Sequence, residues 1–484
     1  MKVLKFGGSS VAKPKDIKQA ISIIRKESAE NNVAVVVSAM GGLDGQPKVT
    51  DQLIQMGKMA AERNEDYQET LRQLIDRHRQ AIQELLSPPE QAQLSNWLER
   101  EAAELRGLLQ GLIFIRELSS ATLDELMSFG ERFSAAILAG ALRSDDIPAE
   151  YVDARDLIVT DHQFGDAEVN VAATDERITR HFEGKSAIQV VTGFIAGTDS
   201  ASEKDRRTTT LGRDGSDLTA ATVGAALHSP ESPSEIQIWK DFPIHTANPK
   251  KVKGTKIVRH LSYREAGELS NQGMSAVHSR TTIPARRKKV PIFVRATENP
   301  DDVGTKIDGE KNGDSDTVKA ITSMPNVAQF NLTGAGMQDK KGLASRVFGA
   351  LARKGISVSF IVQISSEQSV SFTVPDKQAK DAEAALREEL AHEIKTGQID
   401  DSIEYNNITM IAIIGEKMKG QKGTLGKVAQ TLAENDVNII SVGQSPDEFN
   451  ITVIVERAQE DIALQALHDV FFAQPITEGV HQPA

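Results

Sequence analysis

The sequence predicts an α/β sandwich around a mostly parallel sheet, followed by two small α+β units that resemble each other. Three observations carry this. Strand-like and helical segments alternate through residues 1–308, a polar, glycine-containing break occupies residues 308–317, and beyond it one set of residues occurs twice at a fixed spacing.

Residues 2–6 and 33–38 read as strands. Between them Ile17, Ala20, Ile21 and Ile24 recur at helical spacing behind Pro14, which suits the first turn of a helix. Residues 51–145 are rich in Gln, Glu, Leu and Arg and predict several helices, interrupted at Pro88-Pro89. Strand-like segments return at 150–153, 188–193, 236–239 and 291–295, alternating with helices, as a parallel sheet requires. The break Asp-Gly-Glu-Lys-Asn-Gly-Asp-Ser-Asp-Thr then ends a first domain at residue 308.

Past the break, Gly334, Met337, Gly342, Leu351 and Gln363 return as Gly415, Met418, Gly423, Leu432 and Gln444, each 81 positions later. A constant offset across five positions indicates duplication. Each copy reads strand, glycine loop, helix, strand, turn, strand. In the first, Phe330-Asn331-Leu332 precedes a helix at Leu343–Arg353 and strands at Ser357–Val362 and Ser369–Val374. The copies span 318–398 and 401–478, with the C-terminal tail available to complete the first. One such unit buries little apolar surface alone, so pairing with its copy or with another subunit is expected.

Composition narrows the function. A chain of 484 residues, 39% apolar and 26% charged, suggests about three globular domains. The longest apolar run, Val33–Met40, falls well short of the roughly 20 residues that cross a bilayer. The N-terminus enters a strand at Lys2-Val3-Leu4-Lys5 without a signal peptide's apolar stretch, so a cytoplasmic location and no membrane partner are expected. Having no cysteine, the chain lacks disulfides, thiolate catalysis and Cys-type metal sites, and its ten histidines show no metal-ligand spacing. A net charge of −12 argues against nucleic-acid binding. Anionic ligands must then be met by locally placed Lys, Arg and backbone N–H groups.

Two glycine loops offer such sites. Lys5-Phe6-Gly7-Gly8-Ser9-Ser10 ends a strand and precedes a helix, so its N–H groups and Lys5 can face phosphate oxygens. The plainer alternative is a tight turn with a solvated lysine. In Thr208-Thr209-Thr210-Leu211-Gly212-Arg213-Asp214-Gly215-Ser216-Asp217, Arg213 can clamp a carboxylate and Asp217 can serve as an acidic catalytic group. The plainer alternative is that Asp217 is the N-cap of the Ala-rich helix that follows. Between the loops, Glu131 of Met127-Ser128-Phe129-Gly130-Glu131-Arg132 is by default a surface carboxylate, unless the fold turns it into a cleft.

Taken together, Lys5–Ser10, Ser38-Ala39-Met40, Ser128–Glu131, Thr192-Gly193-Phe194-Ile195 and Thr209–Asp217 occur in the order found in aspartate kinases, and the tandem repeat matches their paired ACT domains. The chain thus resembles that family over nearly its whole length. It is most similar to the kinase portion of bifunctional aspartate kinase–homoserine dehydrogenases. With no Gly-x-Gly-x-x-Gly motif, the dehydrogenase activity is expected to be absent.

The resemblance implies an amino-acid-kinase fold followed by two ACT domains. It also implies phosphoryl transfer from ATP, with Mg²⁺, to the β-carboxylate of L-aspartate, the first step toward Lys, Thr and Met. By position, Lys5 and Asp217 would be catalytic, and Gly7, Gly8 and Ser9 would cradle phosphates. Thr50, behind a Gly41–Lys48 loop longer than the family's, would contact substrate, as would Glu131 at its ammonium and Arg213 at a carboxylate. Ser216 would complete the acidic loop. Asp241, His245 and Lys250 would face the nucleotide.

That nucleotide-side segment departs from the family's Trp-Thr-Asp-Val-x-Gly-x-Tyr-Thr-x-Asp-Pro-Arg. Here it reads Trp239-Lys240-Asp241-Phe242-Pro243-Ile244-His245-Thr246-Ala247-Asn248-Pro249-Lys250, and the family's nucleotide-contacting lysine falls on Ser275. Lys250, Lys251 or Lys253 could compensate. One alternative is therefore a catalytically impaired paralogue that binds amino acids as a regulatory subunit. Another is a glutamate-directed kinase, against which the tandem ACT units and the Ser-Phe-Gly-Glu segment argue. Gln363 and Gln444 match the glutamines of the threonine-sensitive branch, so an amino-acid effector, threonine over lysine, is expected. The plainer alternative is that each glutamine closes an edge strand. Homo-oligomerisation through the ACT domains is also implied.

Overall fold

The opening β-loop-α-β unit consists of β1 (Lys2–Phe6), α1 (Pro14–Ser28) and β2 (Val33–Val37). Ile17, Ala20, Ile21 and Ile24 form the buried stripe of α1, and Pro14 stands in its first turn. The predicted helical stretch resolves into α2 (Val49–Ala61), α3 (Tyr67–Leu85), α4 (Pro88–Ile115) and α5 (Ser120–Ser144). Pro88 and Pro89 start α4, where a missing N–H costs nothing. Then come β3 (Ala149–Val152), β4 (Val159–Thr160), α6 (Val171–Phe182), β5 (Ile188–Thr192), β6 (Ile195–Thr198), β7 (Thr208–Thr210), α7 (Gly215–Ala226) and β8 (Glu235–Lys240). Finally come β9 (His260–Ser262), α8 (Tyr263–Asn271), α9 (Ser279–Lys288), β10 (Ile292–Ala296) and β11 (Thr305–Asp308).

The computed structural model describes residues 1–43, 45–200, 205–274, 277–309, 317–338, 340–363, 368–400 and 405–472. The break at 310–316 and the tail past 472 lie outside them. The chain divides into two bodies, Met1–Ile244 with Ile257–Ser270 and Ser275–Gly313, and His245–Lys256 with Asn271–Met274 and Asp314–Ala484.

In the first body, strands run in the order β3-β5-β2-β1-β8-β10-β11-β9, parallel throughout except for β10 against β11. A small second sheet joins β4, β6 and β7. Alternation of side chains sends Leu4, Phe6, Val35 and Val37 into one core with α1 to α5, around Phe129, Phe133 and Trp239. Val3 and Ile236 face the other way, and α7 lies on them so closely that a side chain at Gly224 would collide with Ile236. Helices thus cover both faces, which a parallel sheet requires because its strands are apolar on both sides. Replacing a fully buried residue such as Ile24 by Ala should cost about 2–5 kcal/mol.

The second body contains β12 (Ala320–Thr333), α10 (Leu343–Arg353), β13 (Phe360–Gln363), β14 (Ser369–Pro375), α11 (Ala379–Glu389) and α12 (Ala391–Lys395). Its second half repeats the plan with β15 (Tyr405–Ile414), α13 (Thr424–Glu434), β16 (Ser441–Gln444), β17 (Asn450–Glu456) and α14 (Glu460–Phe472). All six strands form one antiparallel sheet, β13-β14-β12-β15-β17-β16. Phe330 and Phe372 centre the first core, their rings stacked at 5.6 Å, and Ile411, Leu432 and Val453 lie in the second. β12 serves both. Its first half pairs with Met410–Ile414 and sends Ile321 into the second core, while its second half pairs with β14. The register shifts between Met324 and Val327, where Pro325 cannot donate to a ladder. No helix among the described residues is long and apolar enough to cross a membrane.

Candidate active site

β1 and β8 pair in parallel with Lys5 opposite Ile238, so Lys5, Ile238 and Lys240 share the face covered by α7. Asp217, in the first turn of α7, is 1% exposed. Lys5 Nζ lies 2.5 Å from Asp217 Oδ1, and Lys240 Nζ lies 3.0 Å from Oδ2. Among the described residues neither oxygen receives a hydrogen bond of strict geometry, so the two contacts are chiefly ionic. Burial pushes the Asp217 carboxyl up, but Lys240 and Lys5 outweigh it and hold the group below its usual range. The sequence alternative of Asp217 as N-cap is corrected. Asp214 takes that position at φ +53°, and with Gly212 also left-handed (φ +72°) the helix starts early enough to carry Asp217 under its first turn.

The first glycine loop lies against this cluster. Gly7 N–H donates to Trp239 O at 3.2 Å, and Gly41 N–H donates to Gly8 O at 2.9 Å. A Cβ on Gly41 would stand 2.6 Å from Gly8 O, so the turns after β1 and β2 meet backbone to backbone and leave no room for a side chain. The place of a Cβ on Gly7 is 3.7 Å from Lys5 Nζ. Ser9 is exposed in a short 3-10 turn over Gly8–Val11, and Ser10 Oγ is tied to Thr297 Oγ1 at 2.8 Å. From α3, Arg77 donates to Gly41 O at 2.6 Å and to Ala12 O at 2.8 Å, bracing both ends of this region.

Glu131 is no surface carboxylate, being 3% exposed. Gly130 lets α5 approach the end of β2, since a side chain there would meet Ala39 Cβ. Glu131 Oε1 accepts from Ala39 N at 3.1 Å, and Oε2 is buried without a partner among the described residues. Burial pushes its carboxyl up to about 8, against the opposing pull of the Ala39 N–H and of Lys5. Val49 packs on Gly130, which sets half-buried Thr50 one residue further along α2. Ser216 is buried against Gly193, whose missing side chain makes room for it. Arg213 is exposed and forms no ion pair among the described residues.

Asp241 is exposed just past β8. His245 and Lys250 belong to the second body, where the segment His245–Lys256 is held by its own contacts. Thr246 Oγ1 meets His468 Nε2 at 2.9 Å, Lys251 pairs with Glu460, and Lys253 N–H donates to Gln465 at 2.9 Å. Ser275 lies outside the described residues. Gln363 ends β13, exposed, and lines a cavity of about 390 Å³ with Met337, Lys340, Lys341, Gly342 and Val347. Gln444 ends β16 in the equivalent register, also exposed.

Sequence reasoning missed three supporting residues. Asp124 accepts from Thr210 N, Thr210 Oγ1 and Gly165 N at 2.8–3.0 Å, fixing the strand that leads to the Gly212 loop. Arg77 and Lys240 were the others. A lone acid or arginine in a helix carries no local signal, whereas the alternation along β8 could have put Lys240 on the face of Lys5.

The amino acid kinase family model matches residues 1–296, and the ACT domain model matches 330–390 and 411–471, reproducing the 81-residue offset. The chain is 31% identical to the bifunctional aspartokinase/homoserine dehydrogenase 2 of Arabidopsis thaliana over 98% of this chain and 51% of that protein. It is 30% identical to aspartokinase 3 of the same plant over 99% of this chain and 83% of that one. It therefore spans about half the length of the bifunctional relatives it matches. Among solved structures, E. coli aspartokinase III in complex with aspartate and ADP superposes with a TM-score of 0.79 at 27% identity, covering 98% of this chain and 100% of that one. The same enzyme with lysine and aspartate gives 0.76 at 28% identity, covering 98% and 99%.

Proposed function

This chain belongs to the amino acid kinase family and is homologous to aspartate kinases over nearly its whole length, and from that premise we propose that it phosphorylates the β-carboxylate of L-aspartate with ATP. The observation that carries the reading is the Lys5–Asp217 contact at 2.5 Å. Two residues distant in sequence, each beside a glycine turn, meet in one buried cluster. Phosphoryl transfer needs positioning and charge stabilisation rather than covalent chemistry by the protein. Lys5 supplies a fixed cation beside the Gly7–Gly8 turn, whose N–H groups and Ser9 would cradle phosphates. Asp217 holds that cation in place. The buried, half-satisfied carboxyl of Glu131 would receive the substrate ammonium, with Thr50, Arg213 and Ser216 completing the aspartate side. No group of three or more acidic or histidine side chains fit to hold a metal occurs among the described residues. Magnesium fits as part of the nucleotide substrate, because phosphates and water supply most of its ligands, with Asp241 as an exposed carboxylate nearby. For His245 and Lys250 a nucleotide-facing role rests on the family resemblance alone.

The working domains are 1–308, 318–398 and 401–478, in a cytoplasmic enzyme that opens the route to Lys, Thr and Met and oligomerises through its ACT domains. An amino-acid effector would bind at Gln363 and Gln444. Lys340 and Lys341 beside Gln363 disfavour a second ammonium in that cavity, which supports threonine over lysine.

The test is incubation with ATP, Mg²⁺ and hydroxylamine plus L-aspartate or L-glutamate, measuring hydroxamate. Aspartate-dependent product is expected. Product with glutamate alone would defeat the reading, and aspartate binding without turnover would favour the impaired paralogue. Adding threonine or lysine tests the effector.

A further inference from the structure

We propose that Lys240 is a second phosphate-facing ammonium, held beside Lys5 by the single carboxylate of Asp217, and that it binds the anionic phosphate chain of the nucleotide. The inference rests on the kinase reading above and extends it to a residue that reading leaves without a role.

Asp217 can neutralise one ammonium, yet two lie on it, Lys5 at 2.5 Å and Lys240 at 3.0 Å. Two ammoniums thus share one carboxylate in a nearly buried position, where an anion is held far more strongly than at the surface. The two lysines differ in exposure. The Lys5 side chain is 7% exposed and that of Lys240 19%, so Lys240 stands at the mouth and Lys5 at the floor. The backbone of Lys240 is fixed. Its carbonyl accepts from Thr297 N–H at 2.9 Å and from Thr297 Oγ1 at 3.2 Å, and Thr297 in turn holds Ser10 of the glycine turn. One threonine thus joins the strand end bearing Lys240 to the loop that would cradle phosphates.

Of the other basic residues that could compensate for a serine at position 275, Lys251 already pairs with Glu460. Lys240 is the cation already beside Lys5 and the glycine turn. A polyphosphate arriving there would meet two ammoniums spaced by one carboxylate, which suits a ligand carrying several adjacent negative oxygens.

The test uses the full chain. Lys240→Met and Lys240→Arg are compared with wild type in calorimetric titration with MgADP and in steady-state kinetics with MgATP and aspartate. Lys240→Met is expected to weaken MgADP binding and raise KM for MgATP about tenfold, as loss of a charged contact does, with KM for aspartate within about twofold. Lys240→Arg should retain most of the affinity. The wild-type affinity should fall with added salt more steeply than that of Lys240→Met. Unchanged MgADP affinity in a folded Lys240→Met protein overturns the proposal, as does a loss confined to aspartate. Should the wild type turn over no aspartate yet bind MgADP through Lys240, the kinase activity fails and this inference stands.

Discussion

In the first body, Lys5, Asp217 and Lys240 come from β1, α7 and β8, lie almost out of water and bear directly on one another. In the second, Gln363 sits exposed at the end of an edge strand and lines an open cavity built by its own repeat, with Gln444 exposed in the same register 81 residues on. The first arrangement uses charge where desolvation makes it strong, and removing Asp217 takes the shared carboxylate from both ammoniums. The second uses a neutral amide near solvent, where each contact is worth little and can be made or lost as a ligand comes and goes. The proposed catalytic site and the proposed effector site thus differ in burial as much as in residue type.

The sharpest way to break this contrast is Asp217→Asn. It should lower kcat in the hydroxamate assay by about 10³-fold, in line with the loss of a principal electrostatic element. It should also cost about 3 kcal/mol of stability in urea unfolding, because Lys5 and Lys240 both lose their shared buried carboxylate. A variant with wild-type turnover would remove the cluster from catalysis.

Glu131 gives the next largest effect, in pH. Its carboxyl titrates near 8, so about a tenth is ionised at pH 7 and half at pH 8. A substrate ammonium needs the ionised form, so KM for aspartate should fall about fivefold between pH 7 and 8. Glu131→Gln should abolish the trend and raise KM. The two acids also oppose each other in stability. Asp217, with its pKa lowered, stabilises above the ordinary carboxyl range and loses that contribution as pH falls. Glu131, with its pKa raised, keeps a proton that the unfolded chain releases, so its contribution falls as pH rises from the ordinary range through about 8. Unfolding titrations of Asp217→Asn and Glu131→Gln should separate the two slopes.

The smallest effect belongs to the second body. Gln363→Ala should raise the threonine concentration for half-inhibition about fivefold, and Gln444→Ala should change it less. Each exposed amide contributes about one hydrogen bond's net worth. Equal, large losses at both positions would mean that the two copies bind alike.

The local elements were largely legible. The stripe of Ile17, Ile21 and Ile24 gave α1, and helix Leu343–Arg353 and the strand from Ser369 stand where periodicity put them. The repeat was legible because duplication leaves an offset that no fold is needed to see. The candidate site was legible only in part. Lys5 and Asp217 stand in glycine loops that advertise themselves, but Asp124 and Arg77 sit in helices whose patterns look ordinary, and each acts on a loop distant in the chain.

By itself, then, the sequence determined the main parallel strands, the long helical stretch, the duplication, and the residue types available for holding anions, because these depend on neighbours within a few positions, while the short strands β4, β6, β7, β9 and β11 gave no local signal. Only the tertiary structure decided that Glu131 is buried rather than solvated, that Asp217 lies within the first turn of α7 rather than capping it, that β12 serves two cores, and that Lys240 stands beside Lys5 on one carboxylate. Those outcomes depend on which faces meet once the sheet has formed. Burial and Coulomb interaction act through space, between groups whose separation along the chain carries no trace of their distance in the fold.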